Sequence, residues 1–198
     1  MDNKPDYDAA RENIIALADK LIKLLHEVDP AVSTDLDAKK CVMRIYRDIR
    51  FSKDKTPYKT NFGISFPTGG VKLGGAEYYL QIQPGNSFVA GGYWMPEANA
   101  LKAIRQEIDY NGNDLKAIID NDEFVKLFGN FREQEQLKSL PRDYDADNQH
   151  IDLIKLKSFV AWHKFNDAEM LKPVIAEKIT EICSKIYPLN VFLRNAIV

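Results

Sequence analysis

The chain has 198 residues, 45% of them hydrophobic, enough apolar material to build one full core in a single domain. Its 27 basic and 29 acidic residues nearly cancel to a formal net charge of −2, which excludes a highly charged disordered chain and a surface coated in positive charge for indiscriminate nucleic-acid binding. No apolar run reaches the roughly 18 residues that a membrane-spanning helix needs.

The opening MDNKPDYDAARE is charged and has no apolar core of a signal peptide. Cys41 and Cys183 stand far apart with no C-x-x-C and no histidine cluster, as unpaired thiols in a reducing compartment do. A cytoplasmic protein is expected. Between Pro5 and Val28 the residues Ile14, Leu17, Leu21, Leu24, Leu25 and Val28 recur every three or four positions, the stripe of an amphipathic helix that Asp29-Pro30 ends. The period then falls to two. Met43, Ile45, Ile49 and Phe51 alternate with Arg44, Tyr46, Asp48 and Arg50, predicting a strand over 43–51 with Arg47 out of place on its apolar side.

Three more strands are predicted in NFGISF (61–66), AEYYLQIQ (76–83) and SFVAGGYW (87–94), the last two joined by QPGN as a hairpin. The 3.6 period returns after Pro96 through Ala100, Leu101, Ile104 and Ile108. Helical pieces follow at DLKAIID (114–120) and DEFVKLFG (122–129), then a returning strand in LKSFVAWHKF (156–165) and a last helix after Pro173. Strands grouped centrally between helices give an α+β fold, a central antiparallel sheet of about five strands packed by N-terminal, middle and C-terminal helices.

The chemistry concentrates in RIYRDIRFSKDKTPYK, residues 44–59, which gathers Arg44, Arg47, Arg50, Lys53, Lys55 and Lys59 beside Tyr46 and Tyr58. If 43–51 is a strand, its polar face borders Glu77, Tyr79, Gln81 and Gln83. Guanidiniums, phenols and amides converging there suit a phosphate or carboxylate, because Arg offers a planar fork to paired oxygens. The candidate ligand-binding residues are Arg44, Arg47, Arg50, Lys55, Tyr58 and Lys59, with Tyr79, Gln81, Tyr93 and His163 as secondary candidates. Against this, charge runs are usually solvated faces, and an arginine among apolar neighbours needs an acid partner.

Other features carry less. Gly91 and Gly92 inside a strand mark a close approach, which an aromatic side chain or the N-terminal helix packing on the sheet explains better than a ligand. GGVKLGG lacks the G-K-[ST] of a phosphate loop. Asp143, Asp145 and Asp147 alternate as in calcium loops, but Asn148 replaces the turn glycine and Ile154 the bidentate glutamate. His26, His150 and His163 form no metal-binding pair, no cofactor motif is present, and no G-x-S-x-G marks a covalent nucleophile.

The run RIYRDIRFSKDKTPYKTNFGISF, continued by YYLQIQPGNSFVAGGYWMP and LPRDYDADNQHIDLIKLKSFVAWHKF, resembles the bacterial and fungal family called domain of unknown function 2461. The resemblance spans nearly the whole chain and implies one α+β domain without implying an activity. Members carry an Asn-rich segment ending in Trp-Phe ahead of the first helix, whereas this sequence starts at MDNKPDY. Members also tend to have glycine at the position of Asp143, and the loop around it is given no role. The functional expectation is a small anionic ligand held by segment 44–59. The alternatives are an interaction module that contacts nucleic acid or an acidic partner, and an architectural Arg–Asp network.

Overall fold

A computed structural model describes residues 3–50, 53–69 and 75–197. The first helix, α1 (Lys4–Val28), follows its apolar stripe: Ala18, Leu21, Ile22 and Leu25 are buried, and the helix stops at Asp29. A short α2 (Ala38–Cys41), capped by the Asp37 carboxylate on the Lys39 N–H, leads toward the sheet. Strands β1 (Phe62–Phe66), β2 (Glu77–Ile82) and β3 (Ser87–Tyr93) follow as an antiparallel meander, and the much later β4 (Phe159–Phe165) pairs with β3, giving the order β1-β2-β3-β4.

The fold is α+β with an antiparallel sheet, as expected, and among the described residues that sheet has four strands where about five were expected. Among the described residues, 42–50 form no strand: Val42 bridges Ile64 and Tyr46 bridges Tyr58, and the chain between them bends away from the sheet. The expected alternation is real as chemistry. It is not used as a ladder, because Arg47 turns into its own loop, where side-chain partners compete with strand pairing. Phe51 and most of the glycine-rich turn expected after Pro67 fall outside the described residues.

Between β3 and β4 lie α3 (Ala98–Ile119), α4 (Asp122–Phe128) and α5 (Ile151–Ile154); after β4 come α6 (Asp167–Met170) and α7 (Ile175–Asn195). The two helices expected over 96–120 are one, kinked at Asn111. α7 runs on through Pro188, because Leu189, Phe192 and Leu193 beyond it are buried, and that packing outweighs the one backbone bond that proline removes.

Packing is one-sided. Ile64, Phe66, Tyr78, Leu80, Val89, Phe159 and Phe165 point to a face covered by α1 and α7, and they join those helices in one apolar cluster. Gly91 belongs to this face, where an added Cβ would stand 2.6 Å from Ile186 Cγ2 of α7. Helix packing thus accounts for that glycine, and the helix is the C-terminal one.

Candidate functional site

Half of the cations in segment 44–59 are bonded within it. Arg47 reaches the Asp54 carboxylate and the Thr56 hydroxyl, and its own N–H donates to Pro57 O. Asp54 also accepts from the Thr56 N–H at 2.9 Å, and these contacts hold its pKa down to about 2, the Thr56 N–H being the largest cause and Arg47 the next. Arg50 spans both oxygens of Asp48 from Nε (3.0 Å) and Nη2 (2.7 Å) and lowers that carboxyl's pKa, while Lys55 Nζ donates to Ile49 O. The Tyr46 and Tyr58 rings lie 5.5 Å apart at a tilt of 45°, and the Lys59 N–H donates to Ile45 O. Arg44 is exposed and makes no hydrogen bond or ion pair among the described residues. Arg47, Arg50 and Lys55 therefore meet internal acids or a carbonyl, while the Lys53 and Lys59 ammonium groups, like Arg44, have no side-chain partner among the described residues; exposed pairs of this kind shape a loop more than they stabilise a protein.

Two secondary candidates lie on the covered face. Tyr93 is buried, and burial, with Glu97 nearby, raises its phenol pKa. His163 faces α4, with Nδ1 3.0 Å from Leu127 O and its ring edge-on to Phe165. Tyr79 and Gln81 lie on the other, open face, so the sequence candidates divide among the loop and both sides of the sheet.

The register shows what surrounds Tyr79 and Gln81. Ser65, Tyr79, Ala90 and Trp162 are matched across the four strands, as are Gly63, Gln81, Phe88 and Lys164 in the neighbouring row; Glu77, Gly92 and Val160 are matched on the far side. Small residues at Ala90 and Gly92 thus lie between larger walls, Tyr79 and Glu77 on one side and Trp162 and Val160 on the other. Phe88 closes one end and Trp94 the other. The result is a trough of about 650 Å³, within the usual range of small-molecule pockets, with Met43 at its margin. From Phe88 to Trp94 it runs about 20 Å along β3 at the rise of an extended chain.

Its walls are aromatic and tilted. Tyr79 and Phe88 lie 5.8 Å apart at 48°, and Phe88 and Trp162 lie 6.2 Å apart at 73°. Trp162 is 51% exposed and Trp94 71%, so indole surface is open to solvent where a solvated strand face would carry polar side chains. Two backbone features hold this shape. Gly92 has φ +128°, and a Cβ there would stand 2.0 Å from Phe159 O, so β4 approaches as no side chain would allow. Met95 has φ +44°, a left-handed turn pinned by its N–H on Ser158 Oγ (2.9 Å), directly after Trp94.

The polar groups of the trough are few. Ser65 Oγ donates to Glu77 Oε2 at 2.6 Å. The Gln81 amide nitrogen donates to Gln83 Oε1 (3.0 Å) and Asn86 O (3.2 Å). Burial raises the Tyr79 phenol pKa, so this ring is neutral near pH 7. Glu77, Phe88, Ala90, Trp94 and Trp162 were missed as site residues in the sequence. Their signal was the outward alternation of Phe88 with Ala90, Gly92 and Trp94, and it became legible only once the strand register placed Trp162 beside Ala90.

Among the described residues, no group of three His, Cys, Asp or Glu side chains converges as metal ligands do, and no helix is long and apolar enough to cross a membrane. A family model described as a conserved hypothetical protein, DUF2461, matches residues 1–192. No curated protein and no solved structure matches the chain.

Proposed function

The chain belongs to DUF2461, a family of conserved hypothetical proteins, and from that premise we propose that it is a binding protein that takes a small ring-bearing or apolar ligand in the trough on the open face of its sheet. One observation carries this reading: Ala90 and Gly92 leave a hollow at the centre of the sheet, and Tyr79, Phe88, Trp94 and Trp162 wall it. Rings held on a rigid sheet offer large contact area at little entropic cost. Segment 44–59 is then the Arg–Asp network that shapes the chain beside β1, with Met43 contributing to the margin of the trough. Free, buried Cys41 and Cys183 fit a cytoplasmic setting.

A small phosphate or carboxylate bound at segment 44–59 is the second reading, favoured by the exposed Arg44 guanidinium, which has no acid bonded to it among the described residues. A thermal-shift screen separates the two, since a ligand of the folded state raises the melting temperature. The screen takes ring-bearing small molecules and phosphate esters against the wild type, Ala90→Phe and Arg44→Ala. Hits kept by Arg44→Ala and lost in Ala90→Phe support the trough. Hits lost only in Arg44→Ala support the anion and overturn the trough.

A further inference from the structure

Resting on the trough as the binding site, we infer that its ligand is an organic cation, an ammonium or alkylated ammonium group carried on an apolar body. Among the described residues, the charge of the site is one-sided: Glu77 is the only carboxylate in its lining, and that lining contains no Lys, Arg or His. Lys164, the nearest cation in the register, lies one residue pair beyond Trp162, opposite Phe88, and does not line the trough.

Two acceptors of the trough are open to such a ligand. Ser65 occupies Glu77 Oε2 and leaves Oε1 without a partner among the described residues. Gln81 spends its amide nitrogen on Gln83 and the Asn86 carbonyl, so its own carbonyl oxygen is what it offers a ligand. Both are acceptors for a ligand that donates, beside the Tyr79 hydroxyl, the Asn86 amide and the two indole N–H groups, so the preference for a cation rests on the carboxylate and the rings. Four aromatic rings complete the match, because the negative π-face attracts a cation, most strongly at Trp, and rings set at 48° and 73° to each other present faces and edges around a volume in place of one flat strip. An anion would meet Glu77 and the π-faces with no compensating charge, and a neutral ring would leave the carboxylate unused.

Calorimetric titration with three probes of one shape tests this: choline, its uncharged isostere with carbon in place of the ammonium nitrogen, and the carboxylate bearing the same tert-butyl group. The expected order is choline tightest, on the order of tenfold over the neutral isostere, with the carboxylate weakest. Glu77→Gln, which keeps the Ser65 contact, should reduce that preference, and Trp162→Leu should weaken choline and isostere together. Equal affinity for choline and the isostere, both lost in Ala90→Phe, would overturn the cation while leaving the trough as the site. Binding by none of the three would overturn both.

Discussion

His150 is 1% exposed, its ring lies against Gly112 at the kink of α3, and its Nδ1 has no hydrogen-bond partner among the described residues. Burial lowers its pKa from the ordinary 6.5; Lys116 adds to this, while Asp152 and Asp109 oppose it. The unfolded chain therefore binds this proton more readily than the folded one. The stability that the neutral ring contributes is complete above pH 6.5 and is lost as the pH falls below it. Urea unfolding at pH 7.5 and at pH 5.5 should show the wild type losing stability at the lower pH, and His150→Gln should show a smaller loss; equal losses would contradict the assignment. Single residues were partly legible in the sequence. Arg47 needed an acid and has Asp54, whereas the positive φ of Asp143, +71°, was not read from the sequence. Trp162 was not legible as a site residue, because its neighbours Ala90 and Tyr79 come from strands whose register no local pattern states.

Elements with a strong period were legible to within a few residues, as α1 and β1 to β4 show. Segment 43–51 was not, because alternation alone cannot distinguish a paired strand from an extended loop that bonds to itself. Nor was the far end of α7, which runs on through Pro188 to Asn195 because tertiary packing holds it there. That end has a consequence for stability. Arg194, in its last turn, holds the 1%-exposed Asp29 through Nη1 (2.8 Å) and Nη2 (3.0 Å), and Tyr78 OH donates to the same carboxylate at 3.0 Å. The end of α1, strand β2 and the end of α7 meet at this one carboxylate. Arg194→Met leaves a buried charge short of its main partner and should cost about 3–5 kcal/mol. Adding Asp29→Asn should return much of that loss. Denaturant unfolding of the single and double variants checks it, and additive losses would contradict the coupling.

At the scale of the molecule, one face of the sheet is committed to α1 and α7, and the other carries the trough. Function on this account follows from that division, with the core fixing a rigid floor and the open face keeping its aromatic walls unspent. Both tryptophans of the chain, Trp94 and Trp162, line the trough, so intrinsic indole emission reports on it without a label. Emission measured during titration with any ligand that raises the melting temperature should change saturably, with a midpoint equal to the dissociation constant found by calorimetry, and the change should disappear in Ala90→Phe. A ligand that binds and stabilises the protein while the emission of both indoles stays constant would contradict the account.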